Sequence, residues 1–240
     1  DVPVWRKWWF WSLLALFGTG LGAGAGVLVR VRSREYVLPP ELRTYVPIEP
    51  NPFIVGNPIR NEAMFFGRED DFRYVRTKLE GATQGCVVVL CGERRTGKSS
   101  ILYQILNRRL GDRFIPVFVD LQEMVVANDR EFFRRVARLI AEAVHLDRSF
   151  VEGFRIDDEA LNPYHQFVDF LDDVLARIDD RVLLLLIDEY ELLETKADEG
   201  RLNPEIFLFL AGLMDNKERL SFVFTGSRRL EERDRRYWRE

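Results

Sequence analysis

Residues 86–91 (CVVVLC) are continuously apolar and run straight into Gly92-Glu93-Arg94-Arg95-Thr96-Gly97-Lys98-Ser99. A helical stripe of Ile101, Leu102, Ile105 and Leu106 follows. A short apolar run without alternation is the pattern of a strand covered on both faces. The octapeptide fits G-x-x-x-x-G-K-[ST] between a buried strand and an amphipathic helix, the context that motif requires. Glycines let backbone N–H groups curl around phosphate oxygens, and the helix N-terminus adds positive potential. Lys98 is placed to reach β- and γ-phosphates, and Ser99 Oγ to ligate Mg²⁺. Gly92, Thr96, Gly97 and Ser100 complete the expected nucleotide-binding set.

The chain around this motif alternates between strand-like and helix-like runs. Residues 114–119 (FIPVFV), 182–187 (VLLLLI) and 220–225 (LSFVFT) read as further strands. Asn128 with Glu131 opens a helix to about residue 145, in the manner of a capping box. Asn162-Pro163 opens another, with Phe167, Phe170, Leu171, Val174 and Ile178 on one face. Asn203-Pro204 starts one carrying Phe207, Leu210 and Met214. The expected fold is therefore α/β: a parallel sheet with helices on both faces.

Two strand ends carry further candidate chemistry. Residues 182–187 end in Asp188-Glu189. A carboxylate at the tip of a buried strand can hold the Mg²⁺ shell, so Asp188 joins Ser99 as an expected metal residue. Glu189 beside it can accept a proton from a water attacking the γ-phosphate. The fourth strand ends in Thr225-Gly226-Ser227-Arg228, where a polar residue would face that water. Thr225, Ser227 and Arg228 are candidates, with Arg228 grouped with Glu189 and Lys98 as catalytic. A guanine-reading N-K-x-D is absent, since Asn216-Lys217 runs into Glu218-Arg219. ATP is the expected nucleotide.

Residues 8–29 are 22 residues without a charge. At helical rise they span roughly 33 Å, enough for a bilayer core of about 30 Å. Trp5, Trp8, Trp9 and Trp11 sit at one end like an interfacial belt, while Arg30, Arg32 and Arg34 follow the other, which places the remainder on the cytoplasmic side. Gly18, Gly22 and Gly26 recur every four residues, a stripe that favours close helix packing with a copy of itself or another span. One transmembrane helix in residues 1–34 is thus expected, at the cell membrane. Residues 35–62 hold six prolines and read as a linker. Residues 63–240 form the nucleotide-binding domain. The net charge of −4 weighs against a nucleic-acid binder. Cys86 and Cys91 read as reduced core residues, and neither His145 nor His165 has a metal-ligand spacing.

Phe65-Phe66-Gly67-Arg68-Glu69-Asp70-Asp71, ahead of an amphipathic helix with Phe72, Val75 and Leu79, resembles the hhGRExE box. That box precedes the P-loop in STAND ATPases, a signal-transduction class of ASCE P-loop ATPases, and in Orc/Cdc6-like ATPases. Asp71 departs from it, standing where the box has Glu. With the Walker A segment (92–99), the Walker B pair (Asp188, Glu189) and the sensor-1 tip (225–228), the resemblance covers about residues 51–230 and extends to a membrane-joined bacterial subgroup. It implies that Phe66, Gly67 and Arg68 lie against the base, and that ATP with Mg²⁺ drives a slow, regulatory switch. It further implies effector domains and a lid with a winged helix beyond this chain, which starts at Asp1 and reads as a fragment. A DNA-associated Orc/Cdc6-like loader is the alternative.

Overall fold

A computed structural model of the protein describes residues 56–82, 85–156 and 158–227. The expected membrane span and most of the linker lie outside the described residues, as does Arg228. Within them, no helix is long and apolar enough to cross a membrane.

A 3-10 turn (Glu62–Met64) leads into α1 (Glu69–Gly81), β1 (Val87–Cys91) and α2 (Lys98–Leu106). Next come β2 (Phe114–Asp120), α3 (Asp129–Ala143), α4 (Arg148–Gly153), α5 (Pro163–Arg177), β3 (Val182–Asp188), α6 (Glu191–Asp198), α7 (Glu205–Asn216) and β4 (Leu220–Gly226). The strands pair in the order β1-β4-β3-β2, all parallel. The last strand is therefore inserted between the strand that feeds the glycine-rich loop and the strand that ends in Asp188.

Period-two alternation divides the sheet's side chains between two cores. Leu183, Leu185 and Ile187 face one way, with Phe222 and Phe224, and pack under α3, α5 and α7. Val182, Leu184 and Leu186 face the other way, with Val88 and Val223, and pack under α1 and α2. All seven residues of β3 are buried, as are all seven of β4, which explains why these two runs are apolar throughout. Pro116 is tolerated within β2 because that strand pairs with β3 alone among the described strands.

Helix starts follow the capping chemistry. Asn128 accepts from the Glu131 N–H at 2.9 Å, and Glu131 accepts in return from the N–H of Ala127 at 3.0 Å. The reciprocal bond thus falls one residue earlier than in a standard capping box. Asn162 caps α5 through the Tyr164 N–H. Helix α3 stops at Ala143 rather than near 145, because His145 adopts φ 60° and the Leu146 N–H closes back on the Ala141 carbonyl at 2.8 Å.

Two expectations change. Cys91 is exposed and so is not a core residue, while Cys86 is half-buried and packs against the core under α1 and α2. β1 flanks the sheet with β4 as its neighbour among the described strands, and only Val88 along it is buried. The end of the expected linker is also docked: the Ile59 N–H donates to Ser100 Oγ (2.9 Å), Gln104 Nε2 donates to the Ile59 carbonyl (3.1 Å), and Arg60 lies over the Tyr103 ring.

Candidate nucleotide site

The parallel sheet brings three carboxyl ends side by side. Cys91 is level with Gly226, and Ile187 with Phe224, so the glycine-rich loop, the β4 tip and Asp188-Glu189 occupy neighbouring strand ends. With strands about 4.8 Å apart, the loop and Asp188 stand roughly 10 Å from each other. That gap is of the size a terminal phosphate, its metal and a water need.

The loop is held open by its own backbone. Gly97 is the N-cap of α2 at φ 90°, a left-handed conformation that favours glycine, and Arg95 is also left-handed at φ 68°. The first-turn N–H groups of α2 have no carbonyls within the helix to bond and remain for an anion. Lys98 Nζ donates to the carbonyls of Gly92 (2.8 Å) and Glu93 (2.9 Å), which uses two of its three donors and leaves the third for phosphate oxygen. Thr96 is exposed, and its hydroxyl donates to the Glu93 carbonyl at 2.9 Å and tightens the turn. Ser100 is buried, and its oxygen accepts the Ile59 N–H, so its side chain braces α2 rather than lining the loop.

Asp188 is 6% exposed. Its Oδ1 accepts the Thr225 hydroxyl and, at 3.1 Å, the Glu189 N–H. Thr225 is wholly buried, and among the described sensor candidates it is the one tied to the acidic pair. Glu189 sits at φ 54°, a left-handed conformation uncommon for a non-glycine residue. Its side chain is half-buried and makes no hydrogen bond or ion pair among the described residues. The left-handed backbone thus sets the direction of a carboxylate that has no partner among the described residues.

Ser99 Oγ and the remaining Asp188 oxygen are hard donors of the kind Mg²⁺ takes with phosphate oxygens and water. No cluster of three or more His, Cys, Asp or Glu suited to a metal occurs among the described residues, and Mg²⁺ at a nucleotide requires none.

The segment ahead of α1 reaches the same loop. Gly67 (φ 77°) and Arg68 (φ 66°) form a tight left-handed turn. Arg68 Nη2 then donates to the Thr96 carbonyl at 2.9 Å, and its Nη1 pairs with Asp71 at 3.1 Å. Arg68 is therefore committed to the loop backbone. Phe65 packs edge-on to Phe72, and Arg109 covers both rings, while Phe66 is 78% exposed beside this turn. A separate cleft lined by Phe118, Asp120, Glu131, Arg135 and Leu139 lies between β2 and α3 and includes no residue of the loop.

Glu191, the first residue of α6, escaped the sequence reading. Its Oε1 accepts both the backbone N–H and, at 2.8 Å, the hydroxyl of Ser227. Only its place two residues after Glu189 could have signalled it.

Among solved structures, the Walker-type ATPase of Pyrococcus abyssi matches with 21% identity and TM-score 0.47, over 71% of this chain and 48% of that one. Cdc6p of Pyrobaculum aerophilum matches with 19% identity and TM-score 0.45, over 70% and 41%. The ORC2 protein of Aeropyrum pernix matches with 12% identity and TM-score 0.44, over 77% and 43%. This chain thus spans less than half the length of each. No curated protein is a significant match. The family model described as an AAA domain matches residues 82–233, from just ahead of β1 to past the β4 tip. With the parallel sheet of a P-loop NTPase and these motifs at its strand ends, the chain belongs to the AAA domain family.

Proposed function

We propose that this protein binds ATP at the 92–99 loop and hydrolyses it slowly, using the change from triphosphate to diphosphate as a switch. The observation that carries this reading is Glu189: a carboxylate without a partner among the described residues, on a left-handed backbone, two strands from the phosphate loop and beside the Asp188–Thr225 pair. Glu189 accepts a proton from water as the water oxygen bonds to the γ-phosphorus. The bond from that phosphorus to the β–γ bridging oxygen breaks, and ADP leaves with the electron pair. Lys98 and the first-turn N–H groups of α2 stabilise the charge that develops on the phosphate oxygens. Mg²⁺, held by Ser99 and Asp188, would supply further charge neutralisation when bound.

The test is Glu189→Gln. ATP affinity should stay within a few-fold of wild type while turnover falls by roughly 10²-fold or more. Equal turnover in the two proteins would remove Glu189 from the reaction.

The finer role follows two lines. In the first, residues 8–29 anchor the module to the cell membrane with the ATPase on the cytoplasmic side, and nucleotide state is relayed to effector domains of a longer protein. The uncharged stretch and its arginine flank support this line. In the second, the protein is a DNA-associated loader akin to Orc and Cdc6 proteins. The box at 65–71 is common to both classes by resemblance, and Cdc6p and ORC2 carry names from the second. Salt-dependent DNA binding by the described domain would favour the second line, and its absence the first.

A further inference from the structure

The β4 tip bonds both to the acidic pair and to the start of the phosphate loop, and one side chain from outside the motifs holds that tip. Thr225 donates its hydroxyl to Asp188, and its carbonyl accepts the Tyr190 N–H at 3.1 Å. The next carbonyl, of Gly226, accepts the N–H of Gly92 at 3.2 Å, which is where the phosphate loop leaves β1. Beyond it, Ser227 is gripped through both its N–H and its hydroxyl by the Glu191 carboxylate. Gly226 permits the grip: a Cβ there would overlap the Tyr190 ring and come within 2.8 Å of both Glu191 carboxylate oxygens. Tyr190 cannot yield, being fully buried with its ring edge-on to Phe224.

The second oxygen of Glu191, Oε2, is buried and has no hydrogen-bond partner among the described residues. A carboxylate one donor short is a poor choice for stability alone, because a buried acceptor left unpaired opposes folding. We infer that Glu191 is a positioning residue for ATP hydrolysis: it clamps the β4 tip so that Thr225 stays on Asp188 and the Gly226 carbonyl stays on the loop. This inference rests on the hydrolytic reading of the site. It assigns Glu191 no contact with nucleotide.

The clamp predicts a split between turnover and binding. In the full 240-residue chain, Glu191→Ala should lower turnover at saturating Mg-ATP by about 10-fold or more, the loss expected when a charge-assisted bond that holds the site is removed. ATP affinity should stay within about 3-fold, since the loop and Lys98 are untouched. Glu191→Gln keeps an oxygen that can accept both Ser227 donors, and should recover turnover to within about 3-fold of wild type. Hydrogen exchange at the Ser227 amide, measured without nucleotide, should quicken by about 10-fold in Glu191→Ala and stay near wild type in Glu191→Gln. If wild type proves unable to hydrolyse ATP, the hydrolytic reading fails while exchange still decides whether the clamp exists. If Glu191→Ala does not fold, Ser227→Ala takes its place: it loses the hydroxyl donor and should lower turnover without weakening ATP binding. Unchanged exchange at Ser227 would overturn the inference. So would a Glu191→Gln protein as inactive as the alanine variant, or turnover and affinity that fall together.

Discussion

Thr225→Val is the most direct probe of how the acidic pair is held. Threonine and valine share a branched shape, so the wholly buried position keeps its packing and strand preference. Only the hydroxyl is lost. That hydroxyl donates to Asp188 Oδ1 and lies 3.4 Å from the Glu189 N–H. Asp188 is then left with the Glu189 N–H at 3.1 Å as its sole donor among the described residues. A hydrogen bond to a charged group contributes about 1.5–3 kcal/mol, and the Asp188 carboxylate is too buried for water to replace it fully. Stability should drop by about that amount, and in a domain of this size the melting temperature by about 2–4 °C for each kcal/mol. The measurement is thermal and urea unfolding of a chain beginning at Pro52, the start of the compact unit that holds the sheet. Thr225→Ser restores the hydroxyl and should lose only the buried methyl, about 1 kcal/mol. Turnover should fall in the valine variant more than in the serine variant. A valine protein within about 0.5 kcal/mol of wild type, with unchanged turnover, would show that the hydroxyl does not serve Asp188.

Further outcomes follow from the same geometry. Lys98→Ala removes the ammonium that bridges two loop carbonyls, so ATP affinity in a direct binding assay should fall by roughly 10²-fold or more. Asn128→Ala should cost about 1 kcal/mol of unfolding free energy through the lost α3 cap. The partner carboxylate of Glu131 is held below its usual range chiefly by the Ala127 N–H, with Arg135 adding to the effect. Its contribution is therefore present above the ordinary value of 4.5 and is lost as pH falls through the lower folded value. Glu131→Ala should accordingly be less stable than wild type at neutral pH, with the gap closing in unfolding curves taken below that range. Removal of residues 1–34 should release the protein from membranes, while the full chain resists carbonate extraction. Extraction of the intact chain would refute the span.

Much of this arrangement was legible because burial imposes composition. β3 and β4 are buried on both faces and so are written in unbroken apolar letters, and their polar ends stand out as Asp188 and Thr225. β1 is equally apolar in sequence but lies beside β4 alone among the described strands, which sequence pattern cannot reveal and which left Cys91 exposed. Caps at Asn128 and Asn162 were legible because they are local chemistry. The short helices α4 and α6 were not, since six and eight residues are too few to establish a helical stripe. Thr96, Ser100 and Arg68 carried motif identities that point at nucleotide, yet each spends side-chain bonds on the protein. A motif records which residue types are needed, while the direction of each side chain depends on packing from elsewhere. Ile59 is 41 residues from Ser100, and Arg68 is 28 from Thr96.

The strand order gives those side-chain bonds a common consequence. With β4 between β1 and β3, the loop strand and the acidic strand do not touch each other. Within the sheet, a displacement of the loop strand reaches Asp188 through β4, while the helix that the loop opens packs directly on β3 at Leu184 and Leu186. At the β4 tip the links are a few separate hydrogen bonds: the Gly92 N–H to the Gly226 carbonyl on one side, and on the other the Thr225 hydroxyl to Asp188 and the Tyr190 N–H to the Thr225 carbonyl. Lower in the sheet the same strands are joined by continuous parallel pairing and wholly buried phenylalanines, Phe222 and Phe224, stacked 5.9 Å apart. Packed cores resist small shifts, whereas single polar contacts at a strand end can be exchanged. The 225–227 tip, where β4 ends and its bonds to the acidic strand are a few separate polar contacts, is thus the part of this connecting strand that can shift at least cost.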